Sequence, residues 1–343
     1  MDELAAVMAA YFPLGRKVTA RELPGGNINR GFLLDDGANS LVAQRLNPAV
    51  FTKPDQVVEN FITLSKHLRG QGFLVAEPVA TVSGESRFLA ADGAYWRAQT
   101  YIAQHTPDAP ARPASMGQIL ARFHRFTADL PPRSLPPTIA GFHDTAACLR
   151  AADHALAQAP ETGAEQAELR WCRRIIARFR PLADYFSGPT ANNRQITHGD
   201  PKRENFIRDE NGQVLGLFDL DTTASGILAH DLGDCLRSLA NPAGEDADLT
   251  AVRFDFDICR TFMVGYCHEY AASGTTMPPL AVFAGTLVIA FELGLRRLTD
   301  HLLGDRYFRV PHHGDNLRLA MVQFRLAELI AEDEKRLRAL DAL

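Results

Sequence analysis

The chain has 343 residues, 46% hydrophobic and 22% charged. These are the proportions of a soluble globular protein with room for a sizeable core, and the length fits two domains or one large lobed one. A net charge of −5 leaves no broad basic field for nucleic acid or an anionic membrane, although local basic clusters can still hold the phosphates of a small ligand.

The N-terminal stretch MDELAAVMAAYFPLG carries acids where a signal peptide carries cations, and reads as a short amphipathic helix. Residues 18–101 read mainly as strands. VTARELPGG (18–26), GFLLDD (31–36) and SLVAQRL (40–46) are short apolar runs between Gly and Asp-Gly turn signals. PDQVVENFITLSKHLRG (54–70) has helical spacing, with Pro54 and Asp55 at its start and Gly70 at its end. Strand-like runs return at AEPVATV, SRFLAA and YWRAQTYIA. The Pro-rich stretch AQHTPDAPARPA (103–114) predicts a lobe boundary. Beyond it helical periodicity dominates, at 115–130, at 163–186 and after about 246. The most apolar run, LAVFAGTLVIAFELGL (280–295), meets Glu292 after about a dozen residues, short of the roughly 20 that a bilayer requires, and predicts a buried helix. Cysteines at 148, 172, 235, 259 and 267 are odd in number and show no C-x-x-C spacing. They predict buried thiols in a reducing cytosol rather than disulfides or a zinc site.

Only 195–221 interrupts the helical half, and it predicts a hairpin. Asn211-Gly212 between apolar runs signals a two-residue turn. If residue 210 faces 213, Asn205 falls opposite Phe218, and Asp219 lies one position off, roughly 5 Å across the ladder. An amide oxygen and a carboxylate then meet at the open end of one hairpin, with Asp200 in the loop before it. A hard divalent cation carrying phosphates takes oxygen ligands of this kind. Asp200 is offset, placed to accept a hydrogen bond from an incoming hydroxyl, and Lys202 can reach a transferring phosphoryl group. Phosphoryl transfer needs positioning and charge neutralisation, which these residue types supply. Taken singly, each has a plainer reading: a loop Asp capping a turn, a solvated Lys.

His198-Gly199-Asp200 followed by Asn205 resembles the catalytic loop of the aminoglycoside phosphotransferase and choline kinase group, relatives of protein kinases. Phe218-Asp219-Leu220-Asp221 is similar to its metal-binding segment, and His230-Asp231-Leu232-Gly233-Asp234 to the element that follows. LPGGNINRGF (23–32), VAQRLNPAVFTKP (42–54), 218–237 and 291–308 resemble the N-acetylhexosamine 1-kinase branch, over roughly residues 20–330. The resemblance implies an α+β, two-lobed protein-kinase-like fold: a nucleotide-covering lobe at 1–102, a linker at 103–114 and a helical lobe at 115–343. It implies ATP as co-substrate and Mg²⁺ on Asn205 and Asp219. Asp221 is a second metal ligand, an acceptor contact or a turn-stabilising Asp. His198 and Asp231 are structural supports for the catalytic pair Asp200 and Lys202.

The glycine-rich turn GGNINRG puts Gly25, Gly26, Asn27 and Asn29 near the nucleotide, although a plain hairpin turn reads the same way; neither the protein-kinase Gly-x-Gly-x-x-Gly nor a Walker motif is present. Arg45 stands where protein kinases keep a phosphate-pairing Lys, with Glu59 on the following helix as its partner. Backbone at Thr100, Tyr101 and Ile102 is expected to meet adenine. Arg296 and Tyr307, with Arg297 alongside, resemble acceptor contacts. His312 and His313 show no ligand spacing and read as ordinary residues. The expected activity is a cytoplasmic small-molecule kinase acting on a sugar hydroxyl, with no nucleic-acid or membrane partner. An aminoglycoside, choline, homoserine or another sugar is the alternative acceptor. A nucleotide-binding pseudoenzyme is a rival of another class, opposed by the presence of every acidic catalytic position.

Overall fold

The computed structural model describes residues 3–24, 28–103, 111–159, 162–186, 194–272, 274, 277 and 279–343. Helix α1 (Glu3–Tyr11) leads into an antiparallel sheet built from β1 (Thr19–Glu22), β2 (Arg30–Asp35) and β3 (Ser40–Arg45), then β4 (Pro78–Val79), β5 (Phe88–Leu89) and β6 (Tyr95–Thr100). The strand order is β1-β2-β3-β6-β4, with β5 pairing β6. Between β3 and β4 runs α2 (Pro54–Gly70), opened by proline in its first turn as the sequence suggests.

Strand alternation decides which side chains of this sheet can reach a ligand. In β3, Leu41 and Ala43 pack with Val7 and Tyr11 of α1 and with Trp96 and Ala98 of β6. The alternate residues Val42 and Gln44 face the other way, into a cleft.

The second half is helical: α3 (Pro113–Phe126), α4 (Thr145–Gln158), α5 (Gln166–Phe179), α6 (Leu228–Leu239), α7 (Phe256–Ala271), α8 (Val282–Leu302), α9 (Asp315–Glu332) and α10 (Glu334–Ala339). Asp144 caps α4, accepting from the Ala147 amide at 2.8 Å, and Asp255 caps α7. Four short strands interrupt the helices: β7 (Arg194–Thr197), β8 (Phe206–Arg208), β9 (Val214–Leu217) and β10 (Ala224–Ile227). Strand β8 pairs with β9, and β7 with β10. Helix α4 and the β7–β10 pair are not among the predicted elements. The α4 sequence is Ala-rich, which blurs its apolar stripe, and β7 and β10 are short strands with 26 residues between them.

Helix α8 is buried along most of its length, as the 280–295 run predicts, and its one early acid, Glu292, is 1% exposed and bound by His143 and Thr145 at 3.1 Å each. The large core joins residues of α3 to α10 and one face of α2, including Phe61, Leu64 and Leu68. Four of the five cysteines are buried and all are free thiols. Among the described residues, no helix is long and apolar enough to cross a membrane.

Candidate active site

The β8–β9 hairpin pairs Phe206 with Leu217 and Ile207 with Gly216. The Phe218 amide then donates to the Asn205 carbonyl at 2.7 Å, so Asn205 lies opposite Phe218 as expected. The turn itself is not the two-residue type. Asp209 and Gln213 close it (Asp209 N to Gln213 O, 3.0 Å) around Glu210, Asn211 and Gly212, with Gly212 at φ +74°. Asp209 Oδ1 accepts from the Asn211 and Gln213 amides, both at 2.9 Å, which favours the longer turn. A register shift between Ile207 and Arg208 then restores the pairing nearer the site.

At the hairpin mouth Asp219 adopts left-handed backbone (φ 57°, ψ 65°), which turns its carboxyl into the cleft. Asn205 donates Nδ2 to the Asp200 carbonyl at 2.7 Å and to Asp200 Oδ2 at 3.3 Å. Its Oδ1 accepts no hydrogen bond among the described residues and is available to a cation. Lys202 Nζ lies 2.6 Å from Asp200 Oδ2. Burial disfavours its charge, but Asp200, Asp219 and Glu245 outweigh that and hold it protonated. Asp219 is open to solvent on its cleft side. Enclosure by the cleft walls, then the charges of Asp221 and Asp200, push its pKa up to about 7. An oxygen site short of positive charge, with a free amide oxygen beside it, suits a divalent cation.

The loop bearing Asp200 is fixed from behind. Gly199 has φ +86°, and a Cβ there would stand 2.8 Å from the Thr222 carbonyl oxygen, so glycine is required. Asp231, fully buried, accepts the His198 amide at 2.7 Å, the Gly199 amide at 2.8 Å and His124 Nε2 at 2.9 Å. Burial works to raise its pKa, yet these donors, His124 first, bring it below the usual carboxylate range. The His198 ring accepts the Asp200 amide at Nδ1 (3.3 Å) and donates from Nε2 to the Phe218 carbonyl (2.8 Å). Burial lowers its pKa, so it stays neutral, spanning the two segments that carry Asp200 and Asp219.

The cleft, about 230 Å³, lies between the sheet and the helical half, lined by Gly31, Val42 and Gln44 above and by Asp200, Lys202 and Asp219 below. A second cavity of about 880 Å³ shares Lys202, Asp219 and Arg297 with it and adds Asn205 and Arg318. Asp200, Lys202, Asn205 and Asp219 therefore come together. Arg296 and Arg297 line the cleft too. Arg296 donates to the Tyr307 hydroxyl at 2.6 Å and lies over the Phe142 ring at 5.0 Å. Arg297 stacks 3.9 Å from the Phe308 centroid and donates to Asn316 at 2.8 Å. Burial, then crowding by Arg296 and Arg237, draws its pKa down to about 10. Neither guanidinium has a carboxylate within ion-pair distance among the described residues.

Other expected residues fall elsewhere. Arg45 faces α1 and pairs with Glu3 (3.0 Å) and Asp92 (3.4 Å), because it shares the parity of Leu41 and Ala43 and not of Gln44. Glu59 is exposed, and its ion pair with Arg45 does not form. Asp221 is 2% exposed with a structural partner on each oxygen, Arg97 on Oδ1 and Asn29 Nδ2 on Oδ2 at 2.9 Å, which matches the turn-stabilising reading. Asn29 is thus tied to Asp221 and, through Oδ1, to the Asn47 amide at 3.0 Å. The amides of Thr100 and Tyr101 donate to Glu77 and Ser40 instead of standing free for adenine, and Ile102 packs against the large core. Gly25, Gly26 and Asn27 lie outside the described residues. His313 is not isolated: Asp305 accepts from it at 2.8 Å, and its ring stacks on His301, itself bonded to Glu165, a grouping that no sequence spacing signals. Gln44 and Arg97, directly paired across β3 and β6, were not anticipated; strict period-two counting from Leu41 would have found Gln44.

The sequence profile of the phosphotransferase enzyme family, APH, matches residues 19–266. A homoserine kinase of Polaromonas naphthalenivorans (strain CJ2) is 26% identical over 324 residues, covering 91% of each chain. Among solved structures, a microcompartment-associated aminopropanol kinase superposes with TM-score 0.67 at 17% identity, covering 97% of each chain. Choline kinase from Cryptosporidium parvum Iowa II gives 0.64 at 11% identity, covering 98% of this chain and 96% of its own. The amicoumacin kinase hAmiN in complex with AMP-PNP, Ca²⁺ and Ami gives 0.63 at 15%, covering 96% and 94%. These likenesses carry the fold, the two-lobed protein-kinase-like α+β architecture.

Proposed function

Because the chain belongs to the phosphotransferase enzyme family, we propose that it moves the γ-phosphoryl group of ATP, with Mg²⁺, onto a hydroxyl of a small acceptor. The observation that carries this reading is the meeting of Asp200, Lys202, Asn205 and Asp219 around two adjoining cavities that share Lys202 and Asp219. Asn205 Oδ1 and the Asp219 carboxylate are the oxygens that would hold Mg²⁺. Bound there with the triphosphate, the ion offsets charge on the phosphate oxygens. Asp200 keeps Oδ1 free while Oδ2 is held by Lys202 and Asn205. That free oxygen accepts the hydrogen bond of the acceptor hydroxyl, aligns its lone pair with the γ-phosphorus and takes the proton late, as the bond to the ADP oxygen breaks. Lys202 steadies the charge that builds on the transferring group.

The finer reading is the anomeric hydroxyl of an N-acetylhexosamine, with Arg296 and Tyr307 at the acceptor. It rests on the stretches 218–237 and 291–308, which border the cleft. A second reading has its own observation: Arg296 and Arg297 have no carboxylate within ion-pair distance among the described residues, which favours a hydroxylated acceptor carrying a carboxylate, such as homoserine, the substrate named for the 26% identical relative. Cationic acceptors fit less well. Of the cleft acids, Asp221 is bound by Arg97, Glu245 by Arg237 and Asp200 by Lys202. The test is a ³¹P-detected panel of N-acetylhexosamines, homoserine, choline and kanamycin, run beside Asp200→Asn. One acceptor is expected to be phosphorylated, with the variant's kcat down at least about tenfold and nucleotide binding kept. Turnover unchanged in Asp200→Asn removes that residue from the mechanism, and turnover only with choline or kanamycin reverses the acceptor reading.

A further inference from the structure

Of the two β3 side chains that meet the cleft, Val42 and Gln44, only Gln44 is polar, and what stands beside it gives this position a role. Arg97, directly across the ladder, donates Nε and Nη2 to Gln44 Oε1 at 3.1 and 2.8 Å. The same guanidinium pairs with Asp221 and lies 4.9 Å from the centre of the Phe61 ring. Arg97 is 2% exposed, so its guanidinium does not itself present donors at the cleft surface. Arginine can only donate, which settles the orientation of the Gln44 amide: Oε1 faces Arg97 and Nε2 faces outward. Nε2 has no partner among the described residues, and a cation bound to the carbonyl end of an amide polarises its N–H bonds.

Resting on the phosphotransferase reading, we propose that Gln44 Nε2 is the donor by which β3 holds the nucleotide phosphates. Arg97 is a positioning residue that fixes and polarises Gln44 and ties it, through Asp221, to the segment bearing Asp219. The chain thus serves its phosphates with a neutral amide backed by a buried cation. That cation belongs to the sheet, while its carboxylate partner belongs to the helical half. A lysine at position 44 would set two cations side by side against one carboxylate already shared with Asn29.

Calorimetric binding of Mg·ATP to the full chain, beside thermal melts, tests this. Gln44→Glu keeps a partner for Arg97 and strengthens that bond, so the melting temperature holds or rises. It also turns carboxylate oxygens toward the phosphates, and Mg·ATP affinity is expected to fall about a hundredfold. Gln44→Leu removes the donor and should cost about tenfold in affinity. Arg97→Lys should raise the KM for ATP with little change in acceptor KM, and add little once Gln44→Leu is present. Should Gln44→Glu melt early, Gln44→Leu decides. Wild-type affinity in a well-folded Gln44→Glu or Gln44→Leu protein overturns the proposal alone. A wild-type chain that binds no Mg·ATP overturns the kinase reading and this one with it.

Discussion

Asp219 holds left-handed backbone that a non-glycine residue adopts at a cost of about 1–3 kcal/mol. The same conformation turns its carboxyl into the cleft, where enclosure, then the charges of Asp221 and Asp200, push its pKa up to about 7. The folded pKa lies above the ordinary value of about 3.9. Between about pH 4 and 7 the folded chain therefore holds a proton that the unfolded chain has released, and the stability this group contributes falls as pH rises through that window. A cation at Asp219 must displace the proton, so metal-dependent nucleotide binding should strengthen up to about tenfold per pH unit from pH 5 to 7 and level off above. Nucleotide phosphates titrate in the same range. The measure is therefore the excess pH dependence of the wild type over Asp219→Asn, by calorimetry at saturating Mg²⁺. Equal slopes in both proteins would take Asp219 out of metal binding. Asp200, Asn205 and Asp219 were legible in the sequence because local spacing sets their meeting. Arg97 was not, since its partner Asp221 lies 124 positions away. Arg45 misled because the cation nearest the expected slot sits on the wrong face of its strand.

The hairpin shows how an element can be right in register and different in build. The Asn-Gly signal points to closure at 210 and 213, the chain closes at 209 and 213, and the shift near Arg208 cancels the difference before Asn205. Side-chain capping by Asp209 decided the turn, and that energy is invisible to a dipeptide rule. Helix contacts carry a similar hidden constraint. A Cβ at Gly285 would lie 2.0 Å from the Ala229 carbonyl oxygen, so α8 and α6 meet backbone to backbone. Helix α6 carries Asp231, which holds the His198-Gly199 amides, and α8 carries Arg296 and Arg297, so this contact sets those arginines against the loop bearing Asp200. Gly285→Ala should destabilise by about 1–3 kcal/mol through overpacking. Gly70→Ala, with nothing within 4 Å, should be neutral or stabilise by up to about 1 kcal/mol. Urea unfolding of the two variants compares them, and matching midpoints would refute the close helix contact.

At the scale of the molecule, the Pro-rich stretch at 103–114 marks where the chain changes from sheet to helices, yet packing divides the protein differently. The small core holds α1 and the sheet, with Val7, Leu34, Ala43 and Trp96 among its members. Helix α2, which the sequence places in the same lobe, buries Phe61, Leu64 and Leu68 in the large core. Hydrogen bonds follow that division: Asn60 donates to the Pro136 carbonyl at 2.8 Å, His67 meets the Phe126 carbonyl at 2.7 Å, and the Leu217 amide donates to Leu74 at 3.2 Å. A Pro-rich linker is readable from composition, whereas the partner of an amphipathic face depends on residues far along the chain. Local opening follows cores rather than chain order. In hydrogen exchange without ligand, the amides of 61–68 should therefore be protected like those of α3 and α8, while β2 and β3 open at lower free energy. On the proposed reading Mg·ATP bridges both halves across the cleft, so it should slow exchange in β2 and β3 most, where the free protein is least protected. Helix α2 exchanging in step with β3, with and without nucleotide, would mean that the sheet and α2 form one cooperative unit and that the division drawn from the cores is mistaken.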